Sequence, residues 1–140
     1  MKKYKIGYTT GVYDMFHIGH LNILKRAKEQ CDFLIVGVST DELVCSYKNK
    51  QPVIPFEERK TIVEAIKYVD QVVPQTSMDK MKAWEKLHYN VMFHGSDWKD
   101  SEMYNKIIKD MSQVGVDVVF LPYTQGVSTT ILAEKTGKSQ

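Results

Sequence analysis

Thr10-Gly11-Val12-Tyr13-Asp14-Met15-Phe16-His17-Ile18-Gly19-His20-Leu21-Asn22 decides the reading of this chain. A β-rich segment, Lys5–Thr10, runs into it, and a helical pattern, Ile18–Gln30, runs out of it. Ile18, Leu21, Ile23, Leu24 and Ala27 form the apolar side of that helix. Between them lies a turn in which Gly11 lets backbone approach a ligand closely and Gly19 leaves space against the helix. The start of a helix carries unpaired N–H groups and a partial positive charge, so a strand–turn–helix of this kind suits a phosphate. His17 and His20 share one helical face there and can donate N–H bonds to phosphate oxygens. Spacing alone also allows ordinary polar residues at a helix start, or a zinc pair. No third ligand at metal-site spacing lies nearby.

Outward from this stretch, strand and helix signals alternate. Phe33–Val38 is a continuous apolar run, as for a strand buried on both faces. Thr40–Val44 reads as a short helix and Tyr47–Pro55 as a loop. Phe56–Ile66 is helical, Gln71–Pro74 a strand, Lys80–Leu87 a helix and Val91–His94 a strand. Ser101–Val114 is a helix closed by Gly115, Asp117–Pro122 a strand and Ser128–Glu134 a last helix. The alternation predicts an α/β fold, a Rossmann-like parallel sheet with helices on both faces, in a single domain over 1–140. Ligands of such sheets bind at the carboxyl ends of the strands. Gly11–His20, Ser39–Asp41, Gly95–Trp98 and Thr124–Thr130 all follow strands and so converge on that edge.

Composition narrows the function. The chain has 140 residues, 43% hydrophobic and 26% charged, which is enough for one packed core. A net charge of +2 with no basic–aromatic stripe argues against a nucleic-acid partner. Cys31 and Cys45 form no CxxC pair, so a reducing cytoplasm is the expectation. No apolar run reaches the length of a membrane span, and no signal-peptide core follows Met1-Lys2-Lys3.

Gly11-Val12-Tyr13-Asp14 followed by His17-Ile18-Gly19-His20 resembles the HxGH signature of the nucleotidyltransferase superfamily, in particular the glycerol-3-phosphate cytidylyltransferase-like family. Ser39-Thr40-Asp41-Glu42, Glu58-Arg59-Lys60, Tyr68-Val69-Asp70, Gly95-Ser96-Asp97-Trp98 and Gly126-Val127-Ser128-Thr129-Thr130 continue the likeness in order along nearly the whole chain. The resemblance implies transfer of a cytidylyl group from CTP to a small phospho-alcohol, with glycerol 3-phosphate leading, Mg²⁺ as cofactor and a homodimer as the assembly. Glycerol 2-phosphate, another phospho-polyol, phosphocholine or phosphoethanolamine as acceptor, ATP as donor, and a nucleotide binder without catalysis are the alternatives.

The resemblance assigns roles by position. His17 and His20 would polarise the phosphates of CTP, and Thr10, Gly11, Val12, Tyr13 and Gly19 would line them. Asp14 would ligate Mg²⁺, or else position or cap the helix. Lys48 and Lys50 would close over the triphosphate from a loop, the alternative being a solvated basic loop. Arg59 would serve a substrate phosphate or pair with Glu58 or Glu64. Asp97 would hold ribose or cytosine, and Trp98 would pack under a base or fill a core edge. Gly126, Val127, Ser128 and Thr129 would grip a terminal phosphate while capping the last helix. Two positions depart from the family pattern. Lys67 stands where the family has Arg before Tyr-Val-Asp, and Tyr123 stands for the Arg before Thr124. Both belong by position to the nucleotide site, and both losses point to a changed acceptor or to compensation by Arg59, Lys48 or Lys50.

Overall fold

The computed structural model describes residues 3–95 and 101–122. Within them the elements run β1 Tyr4–Gly11, α1 Ile18–Gln30, β2 Cys31–Ser39, α2 Asp41–Lys48, α3 Phe56–Glu64, β3 Gln71–Gln75, α4 Lys80–Leu87, β4 Val91–Gly95, α5 Glu102–Ser112 and β5 Asp117–Leu121. The strands form one parallel sheet in the order β3-β2-β1-β4-β5. The chain moves from β1 outward through β2 to β3, then returns to the other side of β1 for β4 and β5. The order therefore reverses between β1 and β4, where a doubly wound sheet opens its binding crevice.

Two cores cover the sheet. Ile23, Leu24 and Ala27 of α1 and Val63 of α3 pack with Leu34, Val36, Val38, Val91 and Phe93 on one face. Tyr104 and Met111 of α5 pack with Tyr8, Ile35 and Met92 on the other, where Met81, Trp84 and Leu87 of α4 join them. The α/β expectation holds, and α1 and α4 begin and end at the predicted residues.

Several boundaries shift for local reasons. α2 runs on to Lys48 and stops only at Asn49, which adopts the left-handed conformation at φ 58°. Lys48 thus belongs to a helix end and not to the expected loop. α3 stops at Glu64, followed by the Ala65 cap. Gly115 does close the segment after α5, at φ 78°. Ile18, expected on the inner side of α1, is 49% exposed because it is the first residue of the helix and overhangs the sheet edge. The expected last helix, Ser128–Glu134, lies outside the described residues.

Candidate functional site

His17 is the N-cap of α1, in extended backbone. Its Nδ1 accepts the Gly19 amide at 3.0 Å. The His17 amide in turn donates to Nδ1 of His20 at 3.2 Å. This is a capping box with imidazoles in place of the usual hydroxyl and carboxylate. The two rings stack with centroids 3.9 Å apart. Because each Nδ1 accepts, the proton of each neutral ring sits on Nε2. Burial, and the neighbouring His17, pull His20 down to about 4; burial also lowers His17. The helix start thus presents two neutral Nε2–H donors side by side. The capping box comes from the spacing of His17 and His20, which the sequence offered as a phosphate pair, as polar residues at a helix start or as a zinc pair.

The turn before α1 is not made by glycine. Gly11 ends β1, and the left-handed residues are Tyr13 at φ 56° and Met15 at φ 50°. Such conformations cost a bulky residue on the order of 1–3 kcal/mol and persist where the surroundings over-determine them. Here they do. A Cβ on Gly11 would come within 2.9 Å of the Tyr13 ring, so Gly11 is the flat surface on which that buried ring lies. Asp14 accepts the Val53 and Ile54 amides, each at 2.8 Å. Arg59 donates through Nη1 to the Val12 carbonyl at 2.7 Å.

Arg59 is the hub beneath this turn. It is fully buried. Nε donates to Ile54 O at 2.8 Å, Nη1 also to Ser39 O at 2.8 Å, and Nη2 to Asp41 Oδ1 at 2.6 Å. All three nitrogens are spent on protein, so the expectation that Arg59 meets a substrate phosphate is corrected, and its ion-pair partner is Asp41 and neither Glu58 nor Glu64. Arg59 is a positioning residue that joins the ends of β1 and β2 to the start of α3. Asp14 holds backbone in place as well. It caps no helix, and both its oxygens hold the segment before α3 in place.

Among the described residues, no group of three His, Cys, Asp or Glu side chains is placed to hold a metal ion. Mg²⁺ binds typically through one or two carboxylates plus substrate phosphates. The residues present therefore fit an ion carried in on the phosphates better than one held in a protein cage.

Lys80 opens α4 and is 6% exposed, a position for which sequence gave no sign. Its Nζ donates to Thr10 Oγ1 at 2.9 Å, and among the described residues no carboxylate pairs with it. Burial lowers it to about 8. Thr10 follows Tyr8 by two residues, so its side chain lies on the α4/α5 face of the sheet. The histidine pair belongs to α1, on the opposite face. The end of β1 is thus flanked by imidazole donors on one side and a buried ammonium on the other, at the point where strand order reverses.

Other expected site residues fall variously. Lys50 is exposed on the segment whose far end Asp14 clamps. Lys48 is exposed at the end of α2, over the Tyr47 ring. Lys67 is a correction. α3 runs back from the carboxyl edge, so Lys67, just ahead of β3, lies at the amino-terminal side of the sheet and away from the histidines of its own chain. Asp97, Trp98, Tyr123, Thr124, Gly126, Val127, Ser128 and Thr129 lie outside the described residues.

The cytidylyltransferase-like family model matches residues 8–135, spanning the histidine capping box and the Lys80 position alike. This chain belongs to that family. As a family member it is 37% identical over 134 residues to a glycerol-3-phosphate cytidylyltransferase of Bacillus subtilis (strain 168), covering 91% of this chain and 93% of that one. It is 39% identical over 123 residues to an ethanolamine-phosphate cytidylyltransferase of Mus musculus, covering 87% of this chain and 30% of that longer relative. The fold of this cytidylyltransferase-like chain is also that of a lipopolysaccharide core biosynthesis protein from Thermoplasma volcanium GSS1, at TM-score 0.72 and 25% identity, over 86% and 97% of the two chains.

Proposed function

We propose that the chain transfers a cytidylyl group from CTP to a small phospho-alcohol, glycerol 3-phosphate first among them, forming the CDP-alcohol and pyrophosphate. The carrying observation is the pair of basic sites on either side of the β1 end. His17 and His20 hold the nucleotide's phosphates through Nε2–H, and Lys80 holds the phosphate of the acceptor. An acceptor phosphate oxygen attacks the α-phosphorus, and the bond from that phosphorus to the bridging oxygen breaks as pyrophosphate leaves. The step needs positioning and charge stabilisation in place of a covalent enzyme intermediate. Neutral histidines suit it, because they strengthen their bonds as charge grows on the phosphate oxygens and carry no fixed charge before. Mg²⁺, when bound, would offset the charge of the triphosphate.

Thr10, Gly11, Val12, Tyr13 and Gly19 line the nucleotide in this reading, with Lys50 reaching over from the segment clamped by Asp14. Asp97, Trp98, Tyr123, Thr124, Gly126, Val127, Ser128 and Thr129 complete the site by the family pattern. The chain acts as a homodimer in the cytoplasm. Among the described residues Cys31 and Cys45 form no disulfide, which fits a reducing compartment, and no helix among them is long and apolar enough to cross a membrane. Exposed Phe33, Ile62, Met103 and Ile108 offer apolar surface for a second copy.

Phosphoethanolamine is the second reading for the acceptor, favoured by the identity with the mouse relative. Pyrophosphate release with Mg²⁺ decides, crossing CTP and ATP against glycerol 3-phosphate, glycerol 2-phosphate, phosphoethanolamine and phosphocholine. Release with CTP and glycerol 3-phosphate alone is the expected result. Release with another acceptor replaces the substrate, release with ATP replaces the donor, and release with no pair defeats the reading.

A further inference from the structure

The β1–β4 ladder pairs Tyr8 with Met92 and Thr9 with Phe93. One residue further along the two strands come Thr10 and His94. Tyr8 and Met92 face the α4/α5 core, so strand alternation turns Thr10 and His94 to that same face. The ring contact of His94 agrees, its centroid lying 4.8 Å from that of Tyr104, a buried member of the same core. Lys80 Nζ reaches this point from α4, bonded to Thr10 Oγ1. Two basic side chains from different elements thus share one face at the carboxyl edge of the sheet, close enough for the charge of Lys80 to act on the His94 ring.

His94 is set to donate there. Its Nδ1 accepts the Gly95 amide at 3.0 Å, which places the proton of the neutral ring on Nε2. Burial, then the nearby charge of Lys80, pull the imidazole down to about 4, so it is neutral in ordinary buffers. A buried ammonium and a neutral ring donor beside a hydroxyl form a set of donors with a single formal charge. A phosphomonoester dianion needs such donors on several oxygens, and hydrogen bonds to its charged oxygens are the strong kind.

We propose that His94 is a ligand of the acceptor's phosphate, donating through Nε2 beside Lys80, with the Tyr104 ring fixing its orientation. The inference rests on the reading of Lys80 as the acceptor's anchor. It adds a specificity-determining residue from β4, so that the acceptor phosphate is held across the β1–β4 switch point and not from α4 alone.

His94→Gln and His94→Leu test it. In steady-state pyrophosphate release, the KM for glycerol 3-phosphate, or for whichever panel acceptor the wild type uses, is expected to rise about tenfold. The KM for CTP is expected to stay within about twofold, which also shows that the variants are folded. An unchanged acceptor KM, or an equal rise in both constants, overturns the proposal. A second measurement needs no turnover. Histidine-selective long-range ¹H–¹⁵N spectra of the wild-type protein are recorded with inorganic phosphate and no nucleotide. The His94 Nε2 signal is expected to shift and saturate, and to stay still in Lys80→Met. If the wild type releases no pyrophosphate with any pair, the proposed activity falls while this titration still decides the subsite. A His94 signal that ignores phosphate in the wild type overturns it.

Discussion

Arg59 Nη2 lies 2.6 Å from Asp41 Oδ1, and this pair locks the start of α2 to the first turn of α3. The guanidinium has no exposure, while the carboxylate is 32% exposed. The two partners therefore carry unequal weight, because losing the arginine strips the donor from three carbonyls, while losing the carboxylate charge leaves the guanidinium still bonded to all of them.

Arg59→Met is expected to lower the unfolding free energy by about 3 kcal/mol or more, because three carbonyls lose their donor at about 1–3 kcal/mol each. It orphans the carbonyls of Val12, Ser39 and Ile54 at once. Asp41→Asn keeps an acceptor near the surface and is expected to cost about 1 kcal/mol. Urea denaturation of the two variants checks the asymmetry. Equal losses would mean that the ion pair, and not the carbonyl network, is what Arg59 supplies.

Asp14→Asn separates the clamp from a metal role. An amide can still accept one of the two backbone N–H bonds now made to Val53 and Ile54. A loss of about 1–3 kcal/mol in stability is expected, with an unchanged Mg²⁺ concentration for half-maximal activity. A rise of tenfold or more in that concentration, at unchanged stability, would make Asp14 a metal ligand.

His17 has two duties that two substitutions pull apart. Its Nδ1 caps α1, and its Nε2 faces the ligand in the proposed reaction. His17→Ala is expected to lose about 1 kcal/mol of stability and about 10²–10³ in kcat. His17→Asn restores an N-cap acceptor, so its stability is expected to return while its activity does not. An active His17→Asn enzyme would reduce the histidine to a cap.

The fold was legible because its signals are local and periodic. Phe33–Val38 fits a strand buried on two faces, as Leu34–Val38 are, and Lys80–Leu87 carries its own N-cap in Asp79. The histidine pair was legible for the same reason, being three residues apart on one turn. Arg59 and Lys80 were not. Each is an ordinary cation near a helix start, and its burial comes from partners 47 and 70 residues away, Val12 and Thr10. Gly11 misled for a related reason. Its missing side chain serves a neighbouring ring, and the turn itself falls on Tyr13, which no propensity favours in the left-handed region.

Lys80 sets stability against function. Its pKa of about 8 in the fold lies below the ordinary 10.5, so between those values the unfolded chain holds a proton that the folded chain has lost. Stability from this group is thus present above pH 10.5 and lost as pH falls through 8. At neutral pH the buried charge is a net cost. Lys80→Met is expected to raise the unfolding free energy at pH 7 by on the order of 1–3 kcal/mol, while abolishing use of the acceptor. A less stable, active Lys80→Met protein would show that the ammonium is a structural tie to Thr10 and nothing more.

The histidines give the opposite arm of the pH profile. His20 and His94 both fall to about 4 in the fold from an ordinary 6.5. Between those values the unfolded state binds protons that the folded state refuses, so stability rises with pH across that window and is lost as pH falls from 6.5 to 4. Urea midpoints taken at steps through that range are expected to drop steadily on the acid side and to level off above it. His94→Gln removes one of the rings that burial holds low and is expected to flatten the slope, with His20→Asn flattening it further in the double variant and His17 supplying what remains. Activity should follow a different course, because the phosphate of a bound nucleotide favours the protonated ring and moves the acid limb of kcat, which reports the bound complex, toward higher pH than the stability curve alone would give. An acid limb that superimposes on the unfolding curve would mean that loss of activity in acid is loss of fold, and that neither imidazole changes charge in the working site.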